Sequence, residues 1–185
     1  MSQSASPLDA SRLVIHKSDS LRQCPPVKDI VFGRTFTDHM LKIPWTAARG
    51  WGEPSIEPYG PLSLEPSSVV LHYAVTLFEG MKAYRDDHGK VRLFRPEKNM
   101  ERMNRSASRI CLPNFDETEL LKLIKKLVQL DQHWVPSEPG YSMYIRPTLI
   151  GTEPSVSVTQ TSEALLFVIL SPAGPYYSSL SLIHI

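Results

Sequence analysis

The spacing of apolar residues predicts two consecutive amphipathic helices in the middle of the chain. Four apolar residues of the first helix recur at three- and four-residue steps: Met100, Met103, Ala107 and Ile110. This spacing places them on one helix face, and Pro96 and Pro113 stand where a helix begins and ends. Arg102, Arg105 and Arg109 lie on roughly the opposite face.

The second helix is predicted to begin at Asp116, whose side chain caps it while Glu119 reaches back to complete a capping box. Its buried stripe consists of apolar residues at helical spacing: Leu120, Leu121, Ile124, Leu127 and Val128. The lysines at positions 122, 125 and 126 fall on the solvated side.

Segments with strand character flank this helix pair. They cover residues 30–36, 40–45, 81–84, 91–94, 141–150 and 164–170. Segments 81–84 and 91–94 bracket a polar loop that contains glycine, which predicts a hairpin. Residues 67–79 predict a short helix that ends at Gly80, because glycine accepts the left-handed backbone of a helix end. The predicted fold class is therefore α+β, a mostly antiparallel sheet with packed helices.

Composition favours a soluble globular protein and excludes several functions. Net charge is +1 with basic and acidic residues interspersed, so no basic stripe is available for nucleic acid. The longest apolar runs are too short to cross a membrane. The six histidines show no ligand spacing, and no metal site is predicted. Cys24 and Cys111 form no C-x-x-C pair, which indicates a reducing compartment.

The N-terminal residues differ in character from the rest. Residues 1–28 are polar and end in two prolines, which predicts a flexible lead-in. The first twenty residues have neither the apolar stretch of a secretory signal nor the arginine-rich composition of a transit peptide. We therefore expect a cytoplasmic location, with a mitochondrial one as the alternative.

Common catalytic and phosphate-binding signatures are absent from the sequence, which leaves a few residues open to two interpretations. The three arginines on the first helix either bind an anion or form a solvated face. Tyr73, Phe78 and Tyr84 either line a pocket or belong to the core. Arg146 interrupts an apolar strand, so it either has a functional partner or points to water from an edge strand, which Pro147 would suit.

Seven segments, in order along the chain, resemble branched-chain amino-acid aminotransferases. They are VFGRTFTDHM (31–40), LHYA (71–74), LFEGMKAY (77–84), VRLFRP (91–96), NMERM (99–103), YIRP (144–147) and IGTEPS (150–155). The likeness covers residues 29–179, which we take as the domain, and is closest to the cytosolic form of the animal enzymes. Residues 180–185 do not continue it and are predicted to be a tail outside the family.

The resemblance implies a fold type IV enzyme that depends on pyridoxal 5′-phosphate and works as a homodimer. It implies amino-group transfer from leucine, isoleucine or valine to 2-oxoglutarate, which gives branched 2-oxo acids and glutamate.

By position, Arg102 resembles the residue that binds the cofactor phosphate. Residues that resemble the lining of the side-chain pocket are Phe32, Tyr73, Phe78 and Tyr144. Arg146 resembles a pocket arginine that accepts the side-chain carboxylate of glutamate, and Val156 and Val158 resemble residues that reach the neighbouring subunit's pocket.

The family's cofactor-linking lysine belongs to a larger C-terminal domain that lies beyond residue 185 in the family's order. We therefore expect no catalytic residue in this chain, no covalent cofactor and no activity of the chain alone. The alternative is a non-catalytic short form that binds full-length subunits or competes with them. A different fold type IV enzyme, such as a D-amino-acid aminotransferase or a lyase, is a third possibility that the YIRP segment disfavours.

Overall fold

In the computed structural model, which describes residues 5–175, the alternating strands of the second half form the centre of one sheet. The strands are β1 (Val14–Ile15), β2 (His39–Thr46), β3 (Gly50–Trp51), β4 (Ser55–Pro58), β5 (Thr76–Phe78), β6 (Met81–Arg85), β7 (Val91–Leu93), β8 (Ser142–Gly151) and β9 (Glu163–Ala173). The helices are α1 (Val69–Tyr73), α2 (Pro96–Arg109) and α3 (Glu117–Leu130).

The sheet runs in the order β1-β4-β2-β9-β8-β6-β7, with β3 paired to β2 and β5 paired to β8. Among the described residues every strand pairing is antiparallel except β1 with β4. The predicted α+β class with a mostly antiparallel sheet is confirmed. The predicted 81–84/91–94 hairpin and the interior position of strand 164–170 are confirmed as well.

Side chains alternate between the two faces of the central strands, as strand geometry requires. One face is buried against α2 and α3, and its residues include Ile43, Met143, Ile145, Leu149 and Val168. On β8 the residues between them, Tyr144, Arg146 and Thr148, are only half-buried on the other face. The helices therefore cover one side of the sheet and leave the opposite side open.

The two long helices follow the predicted pattern with two local differences. Met100, Met103 and Ala107 are fully buried, but α2 ends before Ile110, which is exposed. The Asp116 carboxylate caps α3 by accepting from the backbone amides of residues 118 and 119. Glu119 does not complete the capping box, since its carboxylate accepts from the Ala10 amide (2.7 Å) and from Lys122 (2.6 Å).

The described part of the predicted flexible lead-in packs against the domain. Leu8 is 3% exposed within the core, and β1 pairs with β4. The Ala10 amide donates to the Glu119 carboxylate, which keeps that carboxylate from the capping box. Leu13-Val14-Ile15 is a short apolar triplet within an otherwise polar segment, and a run of that length does not predict a packed strand from the sequence.

The segment before β2 was predicted as a strand, and this prediction is wrong. Residues 31–34 form a turn in which the Arg34 amide donates to the Val31 carbonyl and Gly33 has φ +73°. Two strands, β3 and β4, occur instead within the turn-rich stretch that follows β2. No helix among residues 5–175 is long and apolar enough to span a membrane.

Candidate functional site

Aromatic rings and one arginine meet on the open face of the sheet. The Arg146 guanidinium lies 4.1 Å from the centre of the Phe78 ring and donates to the Tyr144 hydroxyl from Nε (3.1 Å) and Nη2 (2.7 Å). Phe32 packs edge-on against Tyr144, with ring centres 5.2 Å apart. The structure thus brings together four of the seven residues predicted to bind substrate.

Arg146 lies on a strand with neighbours on both sides, so the edge-strand alternative is wrong. β8 pairs with β9 over its whole length, and on its other side it pairs with β6 and then β5. The Pro147 carbonyl accepts from the Glu79 amide at 3.0 Å, where the chain crosses from β5 to β6. Alternation along β8 then places Tyr144 and Arg146 together on the open face.

Gly80 has a different role from the predicted helix end. The helix ends earlier, at Ala74, which adopts the left-handed conformation (φ +51°), and β5 follows. A Cβ at Gly80 would lie 2.2 Å from the Tyr144 hydroxyl oxygen. Glycine is needed here because the tyrosine side chain lies directly over the backbone.

A buried carboxylate beside this cluster holds the predicted phosphate-binding arginine. Glu79 is 8% exposed, and its two oxygens accept from Arg102 Nε (2.7 Å) and Nη2 (2.6 Å). Asn99 Nδ2 (3.0 Å) and the Gly80 amide (3.2 Å) donate to the same carboxylate. Burial alone would raise the pKa of Glu79, but these hydrogen bonds outweigh it and hold the pKa below its ordinary value.

Arg102 faces a groove of about 450 Å³ that several cations line. The charged residues of the groove are Lys82, Arg95, Lys98 and Arg102. The rest of its lining consists of Gly80, Met81, Tyr84, Phe94, Asn99 and Tyr144. Lys98 is paired with Glu101 at 2.7 Å, whereas within residues 5–175 no carboxylate lies within 4 Å of Lys82 or Arg95. Tyr144 belongs to both the groove and the aromatic cluster, so the two are adjacent.

The remaining predicted pocket residues form a second group. The Tyr73 hydroxyl, at the end of α1, donates to the Val156 carbonyl. Val156 and Val158 project from the loop between β8 and β9, and Val158 is 83% exposed. The exposure of Tyr73, Phe78 and Tyr84 shows that the alternative of core residues is wrong for these three. Arg105 and Arg109 are exposed, as a solvated face requires.

Several residues in and beside the groove were not predicted from the sequence as site residues. Glu79 carried a usable signal, because a carboxylate directly after an apolar strand segment needs a partner for the same reason as Arg146. Asn99, Lys82 and Arg95 carried none. Arg95 and Asn99 lie one helical turn apart at the start of α2, and Lys82 joins them only because α2 begins beside β6.

Branched-chain-amino-acid aminotransferases are among the curated relatives of this chain. The mitochondrial branched-chain-amino-acid aminotransferase of Saccharomyces cerevisiae is 57% identical over 94% of this chain and 44% of its own length. The cytosolic enzyme of Mus musculus is 56% identical over 92% of this chain and 44% of its own length. The likeness is thus shared by fungal and animal enzymes. The chain spans less than half the length of these relatives.

Solved structures agree with these relatives. The branched-chain aminotransferase of Thermoproteus uzoniensis, crystallised with norvaline, matches 74% of this chain and 42% of its own, with a TM-score of 0.58 and 25% identity. The branched-chain amino acid aminotransferase of T.th., crystallised with pyridoxamine 5′-phosphate, covers 74% of this chain and 41% of its own, with a TM-score of 0.55 and 23% identity. The second comparison supports the fold alone.

A family profile described as amino-transferase class IV matches residues 76–184, more than half of the chain. The match extends into residues 180–185, which were predicted as a tail outside the family and are not among the described residues. With branched-chain aminotransferases as its homologues and a fold type IV sheet, the chain belongs to the class IV aminotransferase family.

Proposed function

We propose that the chain forms part of a branched-chain amino-acid transaminase, which exchanges an amino group between leucine, isoleucine or valine and 2-oxoglutarate. The observation that carries this proposal is the position of Tyr144. It has an aromatic wall and Arg146 on one side and the cationic groove with Arg102 on the other. An apolar pocket beside an anion site is what a branched amino acid and a phosphorylated cofactor require.

The aromatic wall would bind the substrate's branched side chain. Phe78 and Phe32 are 61% and 46% exposed, and the Tyr144 ring packs edge-on against Phe32. Each methylene that these rings remove from water contributes about 0.8 kcal/mol to binding. Tyr73 would extend the wall, and Val156 and Val158 would reach the pocket of a neighbouring subunit in a homodimer.

Arg146 would allow the same pocket to accept glutamate. Its guanidinium lies over the Phe78 ring, and the Tyr144 hydroxyl occupies two of its donor atoms. The Nη1 atom of Arg146 has no protein partner among the described residues, so its two hydrogens can donate to a substrate carboxylate. A guanidinium that lies over a ring would also tolerate an apolar side chain, so the same pocket would accept leucine and glutamate in turn.

The groove has the donor set of a phosphate site. Arg102 supplies a guanidinium fork, and Lys82 and Arg95 supply two further positive charges. These residues would hold the phosphate of pyridoxal 5′-phosphate. When bound, the cofactor supplies the electron sink for amino-group transfer. The lysine that links to the cofactor, and moves the proton, would come from a segment outside this chain.

The proposal is tested on the purified 185-residue chain. With pyridoxal 5′-phosphate, leucine and 2-oxoglutarate, the chain alone should form no glutamate above a protein-free blank. It should bind pyridoxamine 5′-phosphate, and Arg102→Gln should abolish this binding while Glu57→Gln, at a half-buried ion pair on β4, should not. Turnover by the chain alone would contradict the requirement for further residues, and unchanged binding by the Arg102 variant would contradict the phosphate anchor.

A second candidate function is favoured by large apolar residues that are exposed on the described part of the chain. Phe78, Leu71, Phe94 and Val156 are each more than half exposed. Such a surface would suit a short form that docks on a complete subunit, or competes for its interface, without catalysis. Affinity capture with the complete enzyme tests this role, since a stable complex supports it and free migration of both chains contradicts it.

We propose a cytosolic location, with a mitochondrial one as the alternative, because the relatives include both forms.

A further inference from the structure

We propose that Glu79 is the positioning residue of the phosphate site: it fixes the orientation of the Arg102 guanidinium, so that the free edge of that guanidinium faces the groove. The inference rests on the proposed function, in which Arg102 binds the cofactor phosphate. Within the phosphate site, the proposed role of Glu79 is limited to orienting Arg102. Glu79 itself would touch neither substrate nor cofactor.

Three contacts besides the arginine hold Glu79: its amide donates to the Pro147 carbonyl, and Asn99 and the Gly80 amide donate to its carboxylate. The Glu79 backbone is anchored to β8 through its amide and the Pro147 carbonyl (3.0 Å). Asn99, one helical turn before Arg102 on α2, donates from Nδ2 to the Glu79 carboxylate (3.0 Å) and to the Gly80 carbonyl (3.0 Å). The carboxylate is therefore a rigid, buried acceptor shared by the sheet and the helix.

Arg102 depends on this acceptor for its own order. Its side chain is 55% exposed, and a long side chain with that much solvent contact samples many conformations unless it is held. Glu79 takes the Nε hydrogen and one Nη2 hydrogen in a two-point contact. Three of the five guanidinium hydrogens remain, and they lie on the side away from the carboxylate.

Glu79 could instead act only through its charge, and that role predicts the opposite sign. A carboxylate next to an anion site repels phosphate, so its removal alone should strengthen anion binding. A positioning carboxylate improves anion binding by holding the fork in place, so its removal should weaken binding. The sign of the effect on phosphate affinity therefore separates the two roles.

The test uses the 185-residue chain and pyridoxamine 5′-phosphate, whose amine cannot react with surface lysines. Calorimetric titration should show about tenfold weaker binding for Glu79→Gln, as expected when charged hydrogen bonds to the arginine are lost. Glu101→Gln is the matched control, because it removes a carboxylate that pairs with Lys98 at the groove and not with Arg102. It should bind no more weakly than the unmodified chain.

A second variant keeps the charge unchanged. Asn99→Ala removes the amide that holds the carboxylate, and it should weaken binding by about threefold. Arginine-selective 15N NMR gives the readout that a purely structural role would not move. The Arg102 Nε–Hε signal, protected from solvent exchange by Glu79, should exchange rapidly in Glu79→Gln while the circular dichroism spectrum and melting curve keep their folded form.

The outcomes separate the inference from the function on which it rests. If Glu79→Gln and Asn99→Ala bind as tightly as the unmodified chain or more tightly, while Arg102→Gln does not bind, the positioning role is wrong and the proposed function stands. If Arg102→Gln binds normally, or the unmodified chain does not bind, the phosphate anchor is wrong and the inference falls with it.

Discussion

Substitution of Gly80 by alanine should disturb the site through Tyr144. The new Cβ would lie 2.2 Å from the tyrosine oxygen, well inside the roughly 3.5 Å of ordinary contact, so that oxygen must move by about 1 Å. The backbone itself accepts alanine, because Gly80 is not among the described residues with positive φ. The cost therefore arises from the displaced side chain.

The magnitude follows from what holds the tyrosine in place. A shift of about 1 Å breaks or strains the contacts from Arg146 at 2.7 and 3.1 Å and the edge-on contact with Phe32. Overpacking of this kind costs about 1–3 kcal/mol. For a chain of this length, each kcal/mol lowers the melting temperature by about 2–4 °C, so a drop of about 2–12 °C is expected.

The assay is thermal unfolding followed by circular dichroism, arranged as a double-mutant cycle. Removal of the hydroxyl in Tyr144→Phe leaves the ring carbon at 2.9 Å as the nearest atom, so Gly80→Ala should cost about 0.5–3 kcal/mol less in that background. Gly60→Ala is the control, since its Cβ would meet no atom closer than 3.9 Å. Equal costs in the two backgrounds, or a Gly80 variant as stable as the Gly60 variant, would refute the steric explanation.

Three further predictions concern the stability of the fold. Met103→Ala, at a fully buried position of α2, should lower the free energy of unfolding in urea by about 2–5 kcal/mol, whereas Arg105→Ala on the exposed face should change it little. Asp116→Ala removes the cap of α3 and should cost about 0.5–2 kcal/mol, and Asp116→Asn should retain most of it. Burial of Asp38 acts to raise its pKa, but hydrogen bonds from Trp134 and Arg22 outweigh it and lower the pKa. Its stabilising contribution should be complete near neutral pH and lost as the pH falls below about 4, and Asp38→Asn should flatten that part of the urea stability profile; an unchanged slope would contradict this role.

The helices could be predicted because their signals are local. Apolar residues at helical spacing, Pro96 at the first position and Asp116 at a cap each act within one or two turns, and the structure has each feature. Strands β8 and β9 were predictable for a related reason: residues 141–150 alternate well enough for a strand, and residues 164–170 are a continuous apolar run of strand length. The prediction of a strand at residues 30–36 failed because apolar residues there pack across the open face without a strand partner, as Phe32 does on Tyr144.

The candidate site was predictable only in part, because its parts are distant in sequence. Arg146 could be singled out as a charge in an apolar strand, and alternation along β8 places Tyr144 beside it. Phe78, by contrast, meets Arg146 only through the register of β5 on β8. Arg102 alone fitted a solvated helix face better than an anion site, and only the family resemblance reversed that interpretation. Its ion pair with Glu79 joins residues 23 apart and depends on how α2 packs beside the β5–β6 connection.

The measurement that tests the central claim most directly is 31P NMR of pyridoxamine 5′-phosphate mixed with the purified chain. The claim is that this chain supplies the phosphate-binding half of an aminotransferase site through Arg102. The phosphorus signal should shift and broaden with the unmodified chain and with Glu57→Gln, and it should stay at the free position with Arg102→Gln. A free phosphorus signal with the unmodified chain, or the same shift with the Arg102 variant, would contradict the account.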